Sequence, residues 1–170
     1  MPSSRTAKVT FPTDEQVLIV REFDAPRHLV YKAWTTPELV RRWWTGNRGE
    51  MTLAEIDLRV GGRWRYVMVA GDGTEVAFHG EYREVVPEER IVYSEVFEGA
   101  PDAEALTVVT FTEAAGRTTL TILVRYDSAR ERDAHGDYMS DGLEEALGLL
   151  EQTATSLAAA GQEEGSAWER

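Results

Sequence analysis

Between Met51 and Tyr126 the chain breaks into six short apolar or alternating runs, each closed by a turn signal, and this pattern constrains the fold most. MTLAEIDL reaches Gly61-Gly62, RWRYVMVA reaches GDG, and EVAFHGEYREVV reaches PEE. RIVYSEVF then runs to EGAPDA, ALTVVTF to EAAG, and RTTLTILVRY to Asp127. Connections this brief join antiparallel neighbours, because parallel ones need crossovers of about a dozen residues or more. The runs predict an antiparallel meander and exclude a doubly wound sheet. Upstream, QVLIVREF (16–23) reads as a further strand, which makes about seven. KVTF (8–11) fits a short strand paired to it.

Helix signals flank the meander. Two short helices are expected between the first and second strands, counting QVLIVREF as the first. Asp24-Ala25-Pro26 supplies start chemistry for one, with Leu29, Val30, Ala33 and Trp34 as its apolar stripe. Thr36 as N-cap and Pro37 at the first helical position start the other, in TPELVRRWW. At 100° per residue, Leu39, Val40, Trp43 and Trp44 span an arc of about 140°, with Arg41 and Arg42 outside it. Rings and guanidinium groups are thus segregated. The arginines read as a solvated face, and the tryptophans as part of a lid with one ring in the core and the other nearer a mouth.

After the meander, Ser128 and Glu131 form a capping box that fits a helix start. Met139, Gly142, Leu143, Ala146, Leu147, Leu150, Thr153, Ala154 and Leu157 recur at steps of three and four. They predict an amphipathic helix of about six turns over roughly 137–160, with Glu144, Glu145, Glu151 and Gln152 toward solvent. Only the sheet is large enough to cover its stripe. The expected organisation is a flexible tail at 1–7, a single α+β domain at 8–160, and a second flexible tail at 161–170.

Strand parity then sorts the side chains. Trp64, Tyr66 and Met68 share one face, opposite Arg63 and Arg65; Phe78, Gly80 and Tyr82 share another, opposite His79, Glu81 and Arg83. Thr107, Val109 and Phe111 group together, as do Leu120, Ile122, Val124 and Tyr126. In RIVYSEVF the aromatics favour Ile91, Tyr93, Glu95 and Phe97 as the inner set. Large rings under one helix leave gaps, and Gly80 and Gly142 are expected to remove further volume. The pattern fits an apolar pocket carrying phenol hydroxyls and one carboxylate. It fits a solid aromatic core equally well.

Composition narrows the partners. Eighteen Lys+Arg against thirty Asp+Glu give a formal net charge of −12, which repels nucleic-acid backbones and anionic membranes. Cysteine is absent, which removes disulfides, thiolate nucleophiles and cysteine-ligated metal. The start of the chain carries no apolar signal run, and no segment approaches the roughly 20 apolar residues that span a bilayer. The expectation is a cytoplasmic protein without membrane insertion.

Chemistry-bearing residues are few. Glu95, among Tyr66, Tyr93 and Phe97, is the candidate polar anchor or general base, since burial would raise its pKa. His79 falls on the outer face. Asp133, His135 and Asp137 stand two apart, which does not align ligands on one helical face, so no metal is expected. VGGRW precedes a strand and reads as a hairpin turn, not a phosphate loop, and no serine stands in G-x-S-x-G. No cofactor motif is present.

REFDAPRHLVYKAWTTPELVRRWW, LRVGGRWRYVM, FHGEYREVVPEERIVYSEVF and SARERDAHGDYMSDGLEEAL together resemble the helix-grip (START-like, SRPBCC) superfamily. The subgroup is the one named for the C-terminal domain of the activator of heat-shock-protein ATPase. The resemblance runs from about residue 8 to 158. It implies a curved antiparallel sheet gripping the long C-terminal helix, with a deep cavity between them. One departure is Met139, where many relatives carry tryptophan; a flexible thioether would reshape the pocket. The expected pocket is lined by Trp43, Trp44, Trp64, Tyr66, Met68, Phe78, Tyr82 and Tyr93. Glu95, Phe97, Val109, Val124, Met139, Gly142 and Leu143 complete it. The implied function is binding of a hydrophobic, lipid- or polyketide-like small molecule without evident catalysis. One alternative is a cyclase or hydrolase using Glu95 and tyrosines; another is a module that modulates a chaperone ATPase or a transcription factor. A homodimer stays open, and no protein partner is named.

Overall fold

The computed structural model describes residues 7–46 and 48–168, with side chains described outside 131–141 and 160–168. Its order is β1 (Lys8–Thr10), β2 (Gln16–Phe23), α1 (Arg27–Thr35), α2 (Pro37–Trp43), β3 (Gly49–Ile56), β4 (Arg63–Ala70), β5 (Glu75–Val86), β6 (Arg90–Phe97), β7 (Glu104–Ala114), β8 (Arg117–Arg125) and α3 (Ala129–Trp168). The strands form one curved, eight-stranded antiparallel sheet in the order β1-β2-β8-β7-β6-β5-β4-β3. It is the α+β helix-grip architecture expected from the sequence. The eighth strand is β1, which pairs Val9 with Ile19, so the two short helices follow the second strand of the sheet.

From β3 to β8 the chain is a pure meander, and β2 closes it by pairing along β8 from Gln16–Arg125 to Phe23–Thr118. The register slips between Met51 and Leu53 and between Tyr82 and Glu84. Bulges of this kind bend a sheet and deepen its concave face. The β7–β8 hairpin turns through Ala115 (φ 54°) and Gly116 (φ 76°), both left-handed, as the strand twist demands of a two-residue loop. Gly61-Gly62 does more than turn the chain: Gly61 N–H donates to the Tyr82 carbonyl, and Tyr82 N–H to the Gly62 carbonyl, each at 2.9 Å.

α3 begins directly after Ser128 and its backbone stays helical to Trp168, beyond both ends of the predicted 137–160 span. Its last stretch, GQEEGSAW, contains no proline and continues the helix. Residues 1–6 of the expected N-terminal tail lie outside the described residues. Ala7 is held, its N–H donating to Glu144 Oε1 at 2.9 Å.

The buried stripe of α3 is Gly142, Ala146, Leu147, Leu150, Thr153 and Ala154, packed against α1, α2 and the sheet. Glu151 is not turned to solvent as its helical position suggested. Inward parity on β2 buries Arg21 beside Val17, Ile19 and Phe23, and a buried guanidinium requires a counter-ion. Glu151 supplies it, Oε1 lying 3.5 Å from Arg21 Nη2, while its Oε2 accepts the Asp24 N–H at 2.9 Å. The Arg21 guanidinium also lies 4.6 Å from the centre of the Phe23 ring. These contacts fix α3 across the sheet.

Candidate ligand cavity

Strand parity and register bring the inner-face side chains together. Trp64 lies opposite Gly80, and Tyr66 opposite Phe78. Phe78 pairs with Phe97, and Tyr82 with Tyr93. Next in the sheet, Tyr93 faces Thr107, which faces Val124. Over this surface lie Trp34 of α1, Trp43 of α2, Trp44 and Arg48 of the following loop, and Gly142, Leu143, Ala146 and Leu147 of α3. They line a partly open cavity of about 170 Å³.

Several of the rings stand steeply to one another. Trp44 meets Tyr66 and Phe78 edge to face at centroid distances of 5.3 Å, and Trp64 meets Tyr93 at 5.5 Å and 81°. Trp43 is buried and donates its indole N–H to the Ala33 carbonyl at 2.9 Å, while Trp44 is half-buried. One ring thus sits in the core and the other is partly open. Arg41 and Arg42 are exposed, and Arg41 ties α2 to β3 by donating to the Met51 carbonyl at 3.0 Å.

Gly80 and Gly142 do not add empty space, contrary to the sequence expectation. The Trp64 indole crosses β5 at Gly80 to donate to the Ser94 carbonyl on β6 at 3.2 Å. A Cβ at Gly80 would fall on that carbonyl and crowd the indole nitrogen. A Cβ at Gly142 would collide with the Arg48 guanidinium. Each glycine admits a large neighbour.

Glu95 is half-buried, lines the cavity, and has no hydrogen bond or ion pair among the described residues. Burial pushes its carboxyl from the ordinary 4.5 to about 7. Tyr93 is raised well above its ordinary value by burial and then by Glu95, and Tyr66 by burial, then Tyr82 and Glu95. Burial likewise raises Tyr82 and Tyr126. These phenols therefore stay neutral, while Glu95 changes charge near neutrality. Thr107 is also buried, 3% exposed, and its hydroxyl has no hydrogen-bond partner.

Of the pocket residues expected from sequence, Trp43, Trp44, Trp64, Tyr66, Phe78, Tyr82, Tyr93, Glu95, Val124, Gly142 and Leu143 line the cavity. Met68 and Val109 face inward but are packed solid, Met68 between Met51 and Val76 and Val109 between Ile91 and Ile122. Phe97 borders a separate void of about 10 Å³ with Phe78, Glu95 and Tyr126. The side chain of Met139 lies outside the described residues, as do those of Asp133, His135 and Asp137. Ile19, Trp34, Arg48, Thr107, Ile122, Ala146 and Leu147 were missed as lining residues. Parity or helix spacing signals all of them except Arg48, which is in a loop. His79 lies on the outer face, its Nδ1 3.1 Å from Glu98, which also accepts two bonds from Arg65 at 2.8 and 3.0 Å. No group of three metal-ligating side chains occurs among the described residues, and no described helix is long and apolar enough to cross a membrane.

The search of curated proteins gives no match. Solved structures are similar along most of the chain. A crystal structure of a Rhodobacter sphaeroides protein is 24% identical, covers 89% of this chain and 99% of its own, and superposes with a TM-score of 0.82. A Mycobacterium smegmatis protein is 26% identical over 90% of this chain and 96% of its own, with a TM-score of 0.75. The solution structure of the AHSA1-like protein from Aeromonas hydrophila is 22% identical over 83% and 94%, with a TM-score of 0.61. The family model described as activator of Hsp90 ATPase homolog 1-like protein matches residues 24–155, so the chain belongs to that family.

Proposed function

We propose that this protein binds a hydrophobic small molecule in the cavity between the sheet and α3. The observation that carries the reading is the aromatic-lined void of about 170 Å³. Well-packed cores hold few voids larger than a water molecule, and a purely apolar void of about 150 Å³ takes up benzene. Drug-sized ligands need roughly 300 Å³ or more. The cavity as it stands therefore suits one ring or a short alkyl group. A lipid- or polyketide-like ligand would place only its head there.

The test is tryptophan fluorescence and native mass spectrometry with small aromatic and aliphatic compounds. Binding with quenching is expected, and Ala146→Phe, which fills the void from α3, should abolish it. A folded wild type that binds none of the panel would refute the reading. The carboxyl of Glu95, poised at about 7, favours a second reading as a proton-transfer enzyme. In that case Glu95→Gln would remove turnover of a bound polyketide-like substrate and leave binding intact.

A further inference from the structure

We propose that the molecule selected by this cavity is a small organic ammonium ion, with the Glu95 carboxylate as counter-ion and the surrounding ring faces as its lining. The inference rests on reading the cavity as a ligand site. Glu95 stands on the inner face of β6 with no protein partner among the described residues. Its surroundings are rings and small groups: Tyr93 beside it on β6, Trp64 and Tyr66 on β4, and Phe78 on β5. Ring faces carry negative quadrupole charge and attract cations, most strongly when water is excluded. Steep packing, 81° between Trp64 and Tyr93 and 65° between Trp44 and Tyr66, points the faces of these rings in several directions.

Charge disposition on the neighbouring elements agrees. Across from Glu95 on β7, Ala105 is its register partner, and Thr107 is its diagonal neighbour. The buried Thr107 hydroxyl is an acceptor still without a partner. Glu104, also on β7, borders the small void behind Glu95, but it is exposed and its charge is paired with Arg83 at 3.4 Å. The phenols facing Glu95, those of Tyr66, Tyr93 and Tyr126, stay neutral. Arg48 is the cation among the described lining residues, and it comes from the loop and packs on Gly142 of α3, across the cavity from the sheet.

An anionic ligand at the sheet would sit beside a second negative charge, and a hydrocarbon would leave the carboxylate unpaired. An ammonium group compensates it. The volume leaves room for one ring or a few methylenes besides.

The experiment compares benzylamine, benzyl alcohol and benzoate, near-isosteres of opposite or no charge, by calorimetry and tryptophan fluorescence. Benzylamine should bind at least tenfold more tightly than benzyl alcohol at pH 8. That margin should vanish by pH 5.5, because Glu95 takes up a proton as pH falls through about 7. Glu95→Gln, checked for folding by circular dichroism, should erase the margin; a margin that survives in the folded variant overturns the proposal. Equal affinity of amine and alcohol, or benzoate binding tightest, overturns the ammonium proposal and leaves the cavity reading standing. If none of the three binds to folded protein, both fail.

Discussion

Replacing Glu95 with glutamine should make the protein more stable at alkaline pH and leave it little changed in mild acid. Burial holds this carboxyl at about 7 against an ordinary 4.5. A raised carboxyl means that the folded state binds more protons than the unfolded state between those values, so stability falls as pH rises through that window. At 1.36 kcal/mol per pH unit, the interval from 4.5 to about 7 amounts to about 3.4 kcal/mol. Part of the side chain is open to the cavity, where water screens it, so about 2 kcal/mol is the better expectation. Glutamine keeps the shape and cannot ionise. Urea denaturation of both proteins from pH 4 to pH 9 isolates the effect, because other titrating groups cancel in the difference. The variant should gain progressively above pH 4.5 and level off above about pH 8. A difference that stays flat across that range would refute the account of Glu95 as an unpaired, desolvated carboxyl.

Four further outcomes follow from packing and backbone geometry. Glu151→Ala strands the buried Arg21 guanidinium and should cost about 3–5 kcal/mol, with the Arg21→Met, Glu151→Leu pair recovering most of it in chemical denaturation. Ala115→Asn suits the left-handed first position of the β7–β8 turn and should stabilise by about 1 kcal/mol, raising Tm by roughly 2–4 °C in calorimetry. Gly80→Ala drives a methyl into the Ser94 backbone and should lose about 1–3 kcal/mol, with a changed near-ultraviolet signal from Trp64. Gly142→Ala meets only the flexible end of Arg48 and gains helix propensity, so its stability should stay within about 1 kcal/mol of wild type.

The sheet was legible because turn residues punctuate it and parity sorts its faces. RWRYVMVA, EVAFHGEYREVV and RIVYSEVF coincide with β4, β5 and β6 residue for residue. β6 was the difficult strand: Val92, Ser94 and Val96 are buried on its outer side, so alternation of polarity is lost and only the aromatics mark the inner set. Long-range partners were not legible. Nothing near Glu151 announces Arg21, which is 130 positions away and meets it only once α3 crosses β2. Arg48 was invisible for a related reason. Its place in the wall depends on a left-handed Gly46 turning the loop against α3, and loop direction has no period to read.

The glycines show where sequence logic reached the right region by the wrong step. Gly80 and Gly142 suggested missing volume, yet the Trp64 indole and the Arg48 guanidinium occupy the space each would yield. The void arises from the rings themselves. Planar side chains locked edge to face across three strands cannot collapse as aliphatic chains do, and Trp64 is further held by its bond to Ser94. Gly80 thus acts on the cavity indirectly, by allowing the indole to anchor on the far strand and hold the ring wall upright. A larger residue at Gly80 should therefore disorder the pocket before it fills it. An enlarged residue at Ala146, which stands on the helix above the rings, should fill the pocket and leave their packing intact.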